Sequence, residues 1–306
     1  MLGTILLVVL GVVLAAKVGL WIFGERGHIL LPSTRRFVRA GGLRRLLSLA
    51  TLHGYIYSRW TNQYIKLLTK LPTPPAVEGK SWLAERYHGK VLTPDLAKSI
   101  ITIDRDIPLR DLEQIMPYPQ ARELVLKAAP DVAVYECCCR HARAKPCQPT
   151  QVCMIIGQPF VDFMLEHNPH STRRLSQAEA LQLLEDEHKR GHLHSAWFKD
   201  AMLGRFYAIC NCCKCCCGGI NAMRASGIPM LASSGYVARV DESLCTGCGL
   251  CEKACPFDAI QVDETAAVVW ERCMGCGVCE GRCRKHAVSL VLDERKGVPL
   301  DVRALA

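Results

Sequence analysis

Two runs of four cysteines near the C-terminus constrain this chain more than any other feature. The first run is Cys245-x2-Cys248-x2-Cys251-x3-Cys255, and it recurs 28 residues later as Cys273-x2-Cys276-x2-Cys279-x3-Cys283. Three thiolates at this spacing wrap three corners of an iron–sulfur cube only if the loop between them is tight, which the glycines at 247, 249, 275 and 277 permit. The spacing therefore predicts two cubane sites and a role in moving electrons.

The duplication extends beyond the cysteines. Ala259 to Val262 recurs as Ala287 to Leu290, and Val237 to Val240 recurs as Thr265 to Val268, so each half reads as strand, cluster loop, short helix, strand. The segment from about residue 236 to 292 resembles bacterial two-cluster ferredoxins over its whole length. That resemblance implies their compact pseudo-two-fold fold, two [4Fe-4S] clusters and a one-electron carrier role.

In two-cluster ferredoxins the fourth cysteine of each run ligates the cluster of the other run. The predicted ligands of cluster 1 are Cys245, Cys248, Cys251 and Cys283, and those of cluster 2 are Cys273, Cys276, Cys279 and Cys255. Zinc is the alternative, but it usually takes two Cys-x2-Cys pairs separated by a longer loop. Arg284 and Lys285 follow the second run, and we hypothesise that they raise the potential of a cluster or dock an acidic partner.

The 306-residue chain contains nineteen cysteines. That number is odd, and the adjacent triplets at 137–139 and 215–217 are awkward to bridge within themselves, so a secreted disulfide framework fits poorly. A reducing compartment in which the thiols bind metal fits better.

The remaining cysteines form two blocks upstream of the ferredoxin-like segment. The pattern Cys137-x-Cys139-Arg140-His141, then Cys147 and Cys153, then Cys210-Asn211-Cys212-Cys213-x-Cys215-Cys216, is similar to a poorly characterised family of iron–sulfur proteins common in anaerobic prokaryotes. The resemblance implies electron transfer without fixing a substrate.

We predict one or two further clusters in this region, and the spacing does not divide the ligands between them. The candidate ligands are Cys137, Cys139, Cys147, Cys153, Cys210, Cys212, Cys213, Cys215 and Cys216. Cys138 and Cys217 are the thiols least expected to bind metal. A zinc site and simple packing of free cysteines are the alternatives. His141 is expected to donate a hydrogen bond to a cluster sulfide. Five other histidines are expected at the surface, on or near the helix that follows Ser176, and these are His167, His170, His188, His192 and His194.

The N-terminal part of the chain suggests a membrane. Met1 to Phe23 is apolar apart from Lys17, which predicts an uncleaved transmembrane helix. Residues 26–70 carry nine Lys and Arg and no Asp or Glu. The positive-inside rule then predicts a single-pass protein in the cell membrane with its N-terminus outside and its body in the cytoplasm. Part of the basic segment is expected either to lie along an anionic leaflet or to form an ordinary surface helix packed on the protein.

These features predict an α+β chain in which a mainly helical Cys-rich domain precedes the ferredoxin-like domain. The expected boundaries are a transmembrane anchor at 1–24, a basic segment at 25–70, a helical region at 71–130, a Cys-rich domain at 131–235 and a ferredoxin domain at 236–306. Within them, helices are expected at 81–89 and 93–103, and a strand is expected at 132–135. Residues 110–129 carry short helical patterns interrupted by Pro117 and Pro119. Ser176 and Glu179 predict a capping box that starts a helix ending near Gly191.

Missing motifs narrow the function. The chain has no dinucleotide-binding or phosphate-binding glycine loop and no Cys-x2-Cys-His haem site, so no nucleotide, flavin or haem is evident. We therefore predict an electron-transfer subunit that relays single electrons between a cytoplasmic redox protein or dehydrogenase subunit and a membrane-associated centre. It would have no catalytic residue and no nucleic-acid partner. The alternatives are a reductase that uses the thiols at 210–217 on a disulfide or small acceptor, and an anchoring subunit with structural zinc.

Overall fold

The computed structural model describes residues 2–19, 24–42, 48–70 and 81–306. Its centre is a mixed nine-stranded sheet. The strands are β1 (Tyr87–Leu92), β2 (Ile107–Asp111), β3 (Glu123–Leu126), β4 (Val132–Glu136), β5 (Gln151–Ile156), β6 (Thr172–Leu175), β7 (Leu193–Lys199), β8 (Arg205–Cys212) and β9 (Leu231–Ala232). They are ordered β6-β4-β5-β8-β7-β1-β9, and the β2–β3 pair joins through β3 to β8.

Antiparallel pairing dominates the sheet. Only β1–β9 and β3–β8 are parallel among the described strands. The longest ladder joins β7 to β8, from Leu193 opposite Cys212 to Lys199 opposite Arg205. Every residue of β7 is buried. The β7–β8 ladder therefore lies in the interior and carries the start of the second cysteine block at its end.

Ten helices are described before the ferredoxin-like segment. They are α1 (Leu2–Gly19), α2 (Pro32–Ala40), α3 (Leu49–Arg59), α4 (Thr61–Leu68), α5 (Trp82–Arg86), α6 (Pro94–Thr102), α7 (Cys138–His141), α8 (Phe160–His167), α9 (Gln177–Lys189) and α10 (Gly218–Ser226). The predicted capping box of Ser176 and Glu179 at the start of α9 is confirmed, and Gly191 follows the helix with a φ of +83°. Such a left-handed residue ends a helix most easily as glycine.

The prediction of a mainly helical Cys-rich domain is wrong. One sheet draws strands from both the expected helical region at 71–130 and the expected Cys-rich domain at 131–235. The helical pattern expected at 110–129 instead contains the end of β2 and all of β3, whereas the strand expected at 132–135 is confirmed by β4. Strands buried on both faces lack the alternation that reveals a strand, and this explains why β7 and β8 were missed.

The predicted transmembrane helix is also contradicted. Within the described ranges, no helix combines the length and the apolar character needed to cross a bilayer. α1 comprises 18 residues, against about 20 needed for the hydrocarbon core. Residues 20–23 at the end of the predicted anchor, and 71–80 at the predicted domain boundary, lie outside the described part of the chain.

Part of the basic segment packs on the body of the protein. In α3, Tyr57 is buried and its hydroxyl lies 2.9 Å from the hydroxyl of Tyr207 in β8. A Cβ on Gly54 would lie 2.1 Å from the carbonyl oxygen of Ala201, so glycine lets this helix approach the backbone. Of the two interpretations of this segment, the structure favours a helix packed on the protein itself.

The ferredoxin-like segment follows β9. Its elements are β10 (Tyr236–Val240), α11 (Leu250–Ala254), β11 (Ile260–Val262), β12 (Ala266–Val268), α12 (Val278–Arg282) and β13 (Val288–Leu292). β10 pairs with β13 and β11 with β12, both antiparallel. Each half thus has the predicted order of strand, loop, helix and strand. The segment contacts the rest of the protein through hydrogen bonds such as that from Arg282 to the Lys189 carbonyl, 3.1 Å.

A buried ion pair fixes the upstream cysteine region. Arg140 in α7 and Glu187 in α9 are 2.9 Å apart, with side chains 1% and 0% exposed. Arg140 also donates to the carbonyl of Asn211, 3.2 Å away in β8, and His192 lies 2.7 Å from Glu187. Burial opposes ionisation of Glu187, but the hydrogen bonds from His192 and Arg140 outweigh it and hold the pKa of Glu187 below its usual value. The pair therefore connects both cysteine blocks to one helix.

Replacing Arg140 with alanine should lower the free energy of unfolding by about 3–5 kcal/mol, because it leaves the Glu187 carboxylate buried without its partner. The change is read from the chemical denaturation midpoint of the anaerobically purified protein. Arg173→Ala is the matched control, since Arg173 pairs with Glu179 at 2.6 Å with a side chain 56% exposed. It should cost at most about 1 kcal/mol. Equal effects of the two variants would contradict the role assigned to the buried pair.

Candidate iron–sulfur and metal sites

The ferredoxin-like segment contains two separate cavities lined by cysteine. The first, of about 160 Å³, brings together Cys245, Cys248, Cys251 and Cys283. The second, of about 10 Å³, brings together Cys255, Cys273, Cys276 and Cys279. Each cavity thus takes three thiols from one run and the fourth from the other, which is the grouping that the ferredoxin resemblance implies.

Glycines shape the loops around these cavities. Gly247 and Gly275 have φ values of +61° and +62°, and a Cβ there would lie 2.5 Å from the Glu264 carbonyl oxygen and 2.2 Å from that of Tyr236. Neither position has room for a side chain. The two loops are therefore tight for the same reason in both halves.

Backbone amides donate to four of the cysteine sulfurs. Ala259 donates to Cys255 at 3.2 Å and Ala287 donates to Cys283 at 3.3 Å. Across the two halves, the amides of residues 238 and 266 donate to the sulfurs of residues 273 and 245, both at 3.4 Å. Donors and acceptors repeat with the offset of the sequence duplication. Amide donors stabilise negative charge on sulfur, so both sites fit the group that the sequence predicts.

The two cavities differ in their exposure. In the first, Cys248 is exposed and Cys245 and Cys283 are half-buried, whereas all four cysteines of the second are buried. Arg284 and Lys285 also line the first cavity. We therefore call the first the outer cavity and the second the inner cavity.

Eight upstream thiols line a third cavity of about 150 Å³. They come from the α7 region, from β5, from the end of β8 and the turn after it, and from the start of α10. These are Cys137, Cys138, Cys139, Cys153, Cys210, Cys212, Cys213 and Cys217, and we call their site the buried thiol cavity. Cys138 and Cys217 were the thiols least expected to bind metal, yet both face this cavity. Spacing alone could not reveal them because their position depends on how α7 and α10 meet across the sheet.

Four upstream cysteines form a second group, and one of them, Cys213, also lines the buried thiol cavity. The Sγ atoms of Cys147, Cys213, Cys215 and Cys216 all lie within 4.8 Å of one another. Those of Cys147 and Cys215 are 2.8 Å apart, and those of Cys215 and Cys216 are 3.6 Å apart. Cys215 is exposed and Cys147 half-buried. We call this group the surface quartet. Of the nine predicted upstream ligands, five line the buried thiol cavity alone, three belong to the surface quartet alone, and Cys213 belongs to both.

Aromatic side chains and a buried lysine surround the buried thiol cavity. Tyr57, Tyr87 and Trp197 line it. The ammonium of Lys199 lies 4.2 Å and 4.0 Å from the ring centroids of Tyr57 and Tyr87. Burial lowers the pKa of Lys199 to about 7. Nothing in the sequence indicated this lysine, because it occupies the last position of a strand that was not predicted.

Thiols inside the cavity interact with one another. The sulfurs of Cys212 and Cys217 are 3.3 Å apart. Hydrogen bonds from Cys210 and Cys217 hold the pKa of Cys212 well below its usual range. Cys212 therefore accepts hydrogen bonds from these neighbouring thiols. Its lowered pKa favours the thiolate, which is the form of cysteine that binds metal.

The histidines differ from expectation. His141 lies 2.7 Å from the carboxylate of Glu136 and its side chain is 40% exposed, so its ring is engaged with that carboxylate. His167, His192 and His194 are buried rather than at the surface. Local periodicity placed His192 and His194 beside a helix, but the chain turns into β7 at that point and carries them inside.

His188 and His194 connect the inner cavity to the buried thiol cavity. Gly281 in α12, two residues from Cys279, lies so close to His188 that a Cβ on it would be 2.4 Å from the ring Nε2. The rings of His188 and His194 are 5.9 Å apart. The Nδ1 of His194 lies 2.6 Å from the side-chain oxygen of Asn211, which stands between Cys210 and Cys212. A continuous series of contacts thus runs between the two cavities.

Comparison with known proteins supports the iron–sulfur assignment. The 4Fe-4S binding domain family matches residues 238–261, which contain the first cysteine run. No curated protein and no solved structure is significantly similar to the chain. The match supports an iron–sulfur protein with a role in electron transfer, and it covers one half of the ferredoxin-like segment.

Proposed function

We propose that this protein relays single electrons through two [4Fe-4S] clusters in the ferredoxin-like segment and a further iron–sulfur centre in the buried thiol cavity. The observation that carries the proposal is the series of contacts from Cys279 through Gly281, His188, His194 and Asn211, because it links the two regions of thiols inside one molecule. When bound, the clusters supply reversible one-electron chemistry.

The outer cavity is the proposed point of exchange with a partner. Its cysteines are the most exposed of the ferredoxin-like segment, and Arg284 and Lys285 are exposed at its edge. Clustered positive charge attracts an acidic partner and speeds its association. The proposed partner is therefore a redox protein or dehydrogenase subunit with an acidic surface.

The buried thiol cavity is the proposed inner end of the relay. It offers eight sulfurs, whereas one cubane needs four. Arg140 lines the cavity with its charge paired to Glu187, and the buried Lys199 lies behind the tyrosines of the cavity wall. Its walls are otherwise largely aromatic and apolar, which limits the access of water.

Serine substitutions test the number and grouping of the clusters. Cys251→Ser and Cys283→Ser should each remove about four irons and abolish the same EPR signal, because both residues line the outer cavity. Cys276→Ser should abolish the other signal. If Cys283→Ser instead matched Cys276→Ser, the proposed grouping would be wrong, and an iron-free wild-type protein would end the proposal as a whole.

Neutralising the charges at the outer cavity should lower the potential of one cluster. The variant carrying Arg284→Gln and Lys285→Gln should shift one midpoint down by tens of millivolts, since a unit charge a few Å away contributes about 1 kcal/mol in water. Redox titration followed by EPR measures the shift. The control carries Arg295→Gln, because Arg295 is held by Asp293 away from the cavity. Unchanged midpoints together with unchanged reduction by the partner would contradict the assignment.

Removing an aromatic ring between the cavities should slow internal electron transfer. His194→Leu removes the ring that contacts both His188 and Asn211, so the rate between the inner cluster and the upstream centre should fall several-fold. Freeze-quench EPR after rapid reduction measures it. His170→Leu is the control, since His170 is exposed. Equal rates in both variants, with the iron content intact, would show that electrons do not follow these contacts.

A second candidate function is a reductase. It is favoured by the surplus of thiols in the buried thiol cavity, where Cys212 and Cys217 lie 3.3 Å apart. A thiol pair could reduce a disulfide or small acceptor with electrons supplied by the ferredoxin-like segment. Oxidation of dithionite-reduced protein that depends on an added disulfide would favour this function over a simple relay.

A further inference from the structure

The surface quartet has the dimensions of a site for one metal ion. With a metal–sulfur distance of about 2.3 Å, four thiolates around a tetrahedral zinc ion are about 3.8 Å apart. The four Sγ atoms of the quartet lie within 4.8 Å of one another, and the Cys215–Cys216 distance is 3.6 Å. A small adjustment of the Cys147 side chain would place all four around a single ion.

The ferredoxin-like segment provides an internal comparison. In a cubane each thiolate binds a different iron, so the four sulfurs spread around the outside of the cluster. Among the described residues, the surface quartet alone has four thiols within the span of one ion. The cysteines of the outer and inner cavities are not gathered this closely. The two kinds of cysteine group in this protein therefore differ in how closely their sulfurs approach one another.

The local backbone explains why the thiols converge. Three of them come from four successive residues in one turn, which is closed by a hydrogen bond from the Cys217 amide to the Cys213 carbonyl at 3.3 Å. The fourth, Cys147, belongs to the loop between α7 and β5. Arg143 in that loop donates to the carbonyl of Cys216 at 3.4 Å. The loop and the turn are thus already held together next to the four sulfurs.

Positive charge surrounds this site. A zinc ion with four thiolates carries a net charge of about −2. Lys214 lies between two of the ligands, and Arg143 contacts the turn. Lys214 pairs with Asp258 at 2.7 Å, and Arg224 pairs with the same carboxylate at 2.8 Å. Asp258 is three residues beyond Cys255 of the inner cavity, so the turn also connects the sheet to the ferredoxin-like segment.

We infer that Cys147, Cys213, Cys215 and Cys216 bind one zinc ion, which is separate from every iron–sulfur centre of the protein. Thiolate ligands favour zinc among the divalent ions, and a site of four cysteines with no open position is structural. The ion has no redox chemistry. It fixes the turn that presents Lys214 to Asp258 and so holds the sheet against the inner half of the ferredoxin-like segment.

Metal analysis of the full chain tests this inference. The anaerobically purified protein should contain about one zinc in addition to its iron. Cys215→Ser should lose the zinc and retain its iron, whereas the control Cys276→Ser should lose about four irons and retain its zinc. Loss of iron rather than zinc from Cys215→Ser, or a wild-type protein without zinc, would overturn the inference and leave the proposed relay unaffected.

Cobalt substitution provides a second measurement, and its main result comes from the wild-type protein. Protein produced with Co²⁺ in place of zinc should show the visible bands of tetrahedral cobalt with thiolate charge transfer, after subtraction of the iron–sulfur absorption of the zinc form. Added zinc should abolish these bands. Octahedral cobalt spectra, or bands that survive in Cys147→Ser, would count against a four-thiolate site.

Discussion

The upstream half of the protein depends on one buried ion pair. Arg140 and Glu187 join α7 to α9, and Arg140 also binds the backbone between the first two cysteines of the second block. A buried pair of this kind adds little net stability, because desolvation offsets most of its attraction. Its effect is geometric, since neither charge can be buried unless the other is present. The two cysteine blocks, far apart in sequence, are therefore brought to a single arrangement.

Basic side chains also lie close to most of the groups of thiols. Thiolates and their metal centres are anionic, and three of the four groups of thiols have basic side chains beside them. Arg284 and Lys285 are at the outer cavity, Lys214 is within the surface quartet, and Arg140 and Lys199 are near the buried thiol cavity. The first two sets are partly exposed and respond to partners and salt, whereas the last is shielded. The interior charges therefore set the properties of the buried site, and the exterior charges govern encounter.

The sequence predicted what repeats and missed what depends on tertiary contacts. The duplicated cysteine runs predicted the order of elements in the ferredoxin-like segment, because tight loops and short strands are local features. The expected grouping of its thiols crosses between the runs and came from the resemblance to two-cluster ferredoxins. The capping box of α9 was local as well. The central sheet could not be predicted from local features, because β7 carries polar residues such as His194 and Lys199 that are buried by neighbours distant in sequence. The division of the upstream thiols into a cavity and a quartet depended on that sheet.

The surplus of sulfur in the buried thiol cavity has a physical consequence. Eight thiols cannot all ionise in an apolar site without compensating cations. Hydrogen bonds from neighbouring thiols, followed by burial, raise the pKa of Cys153 and Cys217 well above the usual value. Without metal most of these thiols therefore keep their protons, and a metal centre must replace protons as it assembles. Because iron takes the place of those protons, loading the cavity changes its charge far less than the number of thiolates suggests, and this allows so many sulfurs to share one interior site.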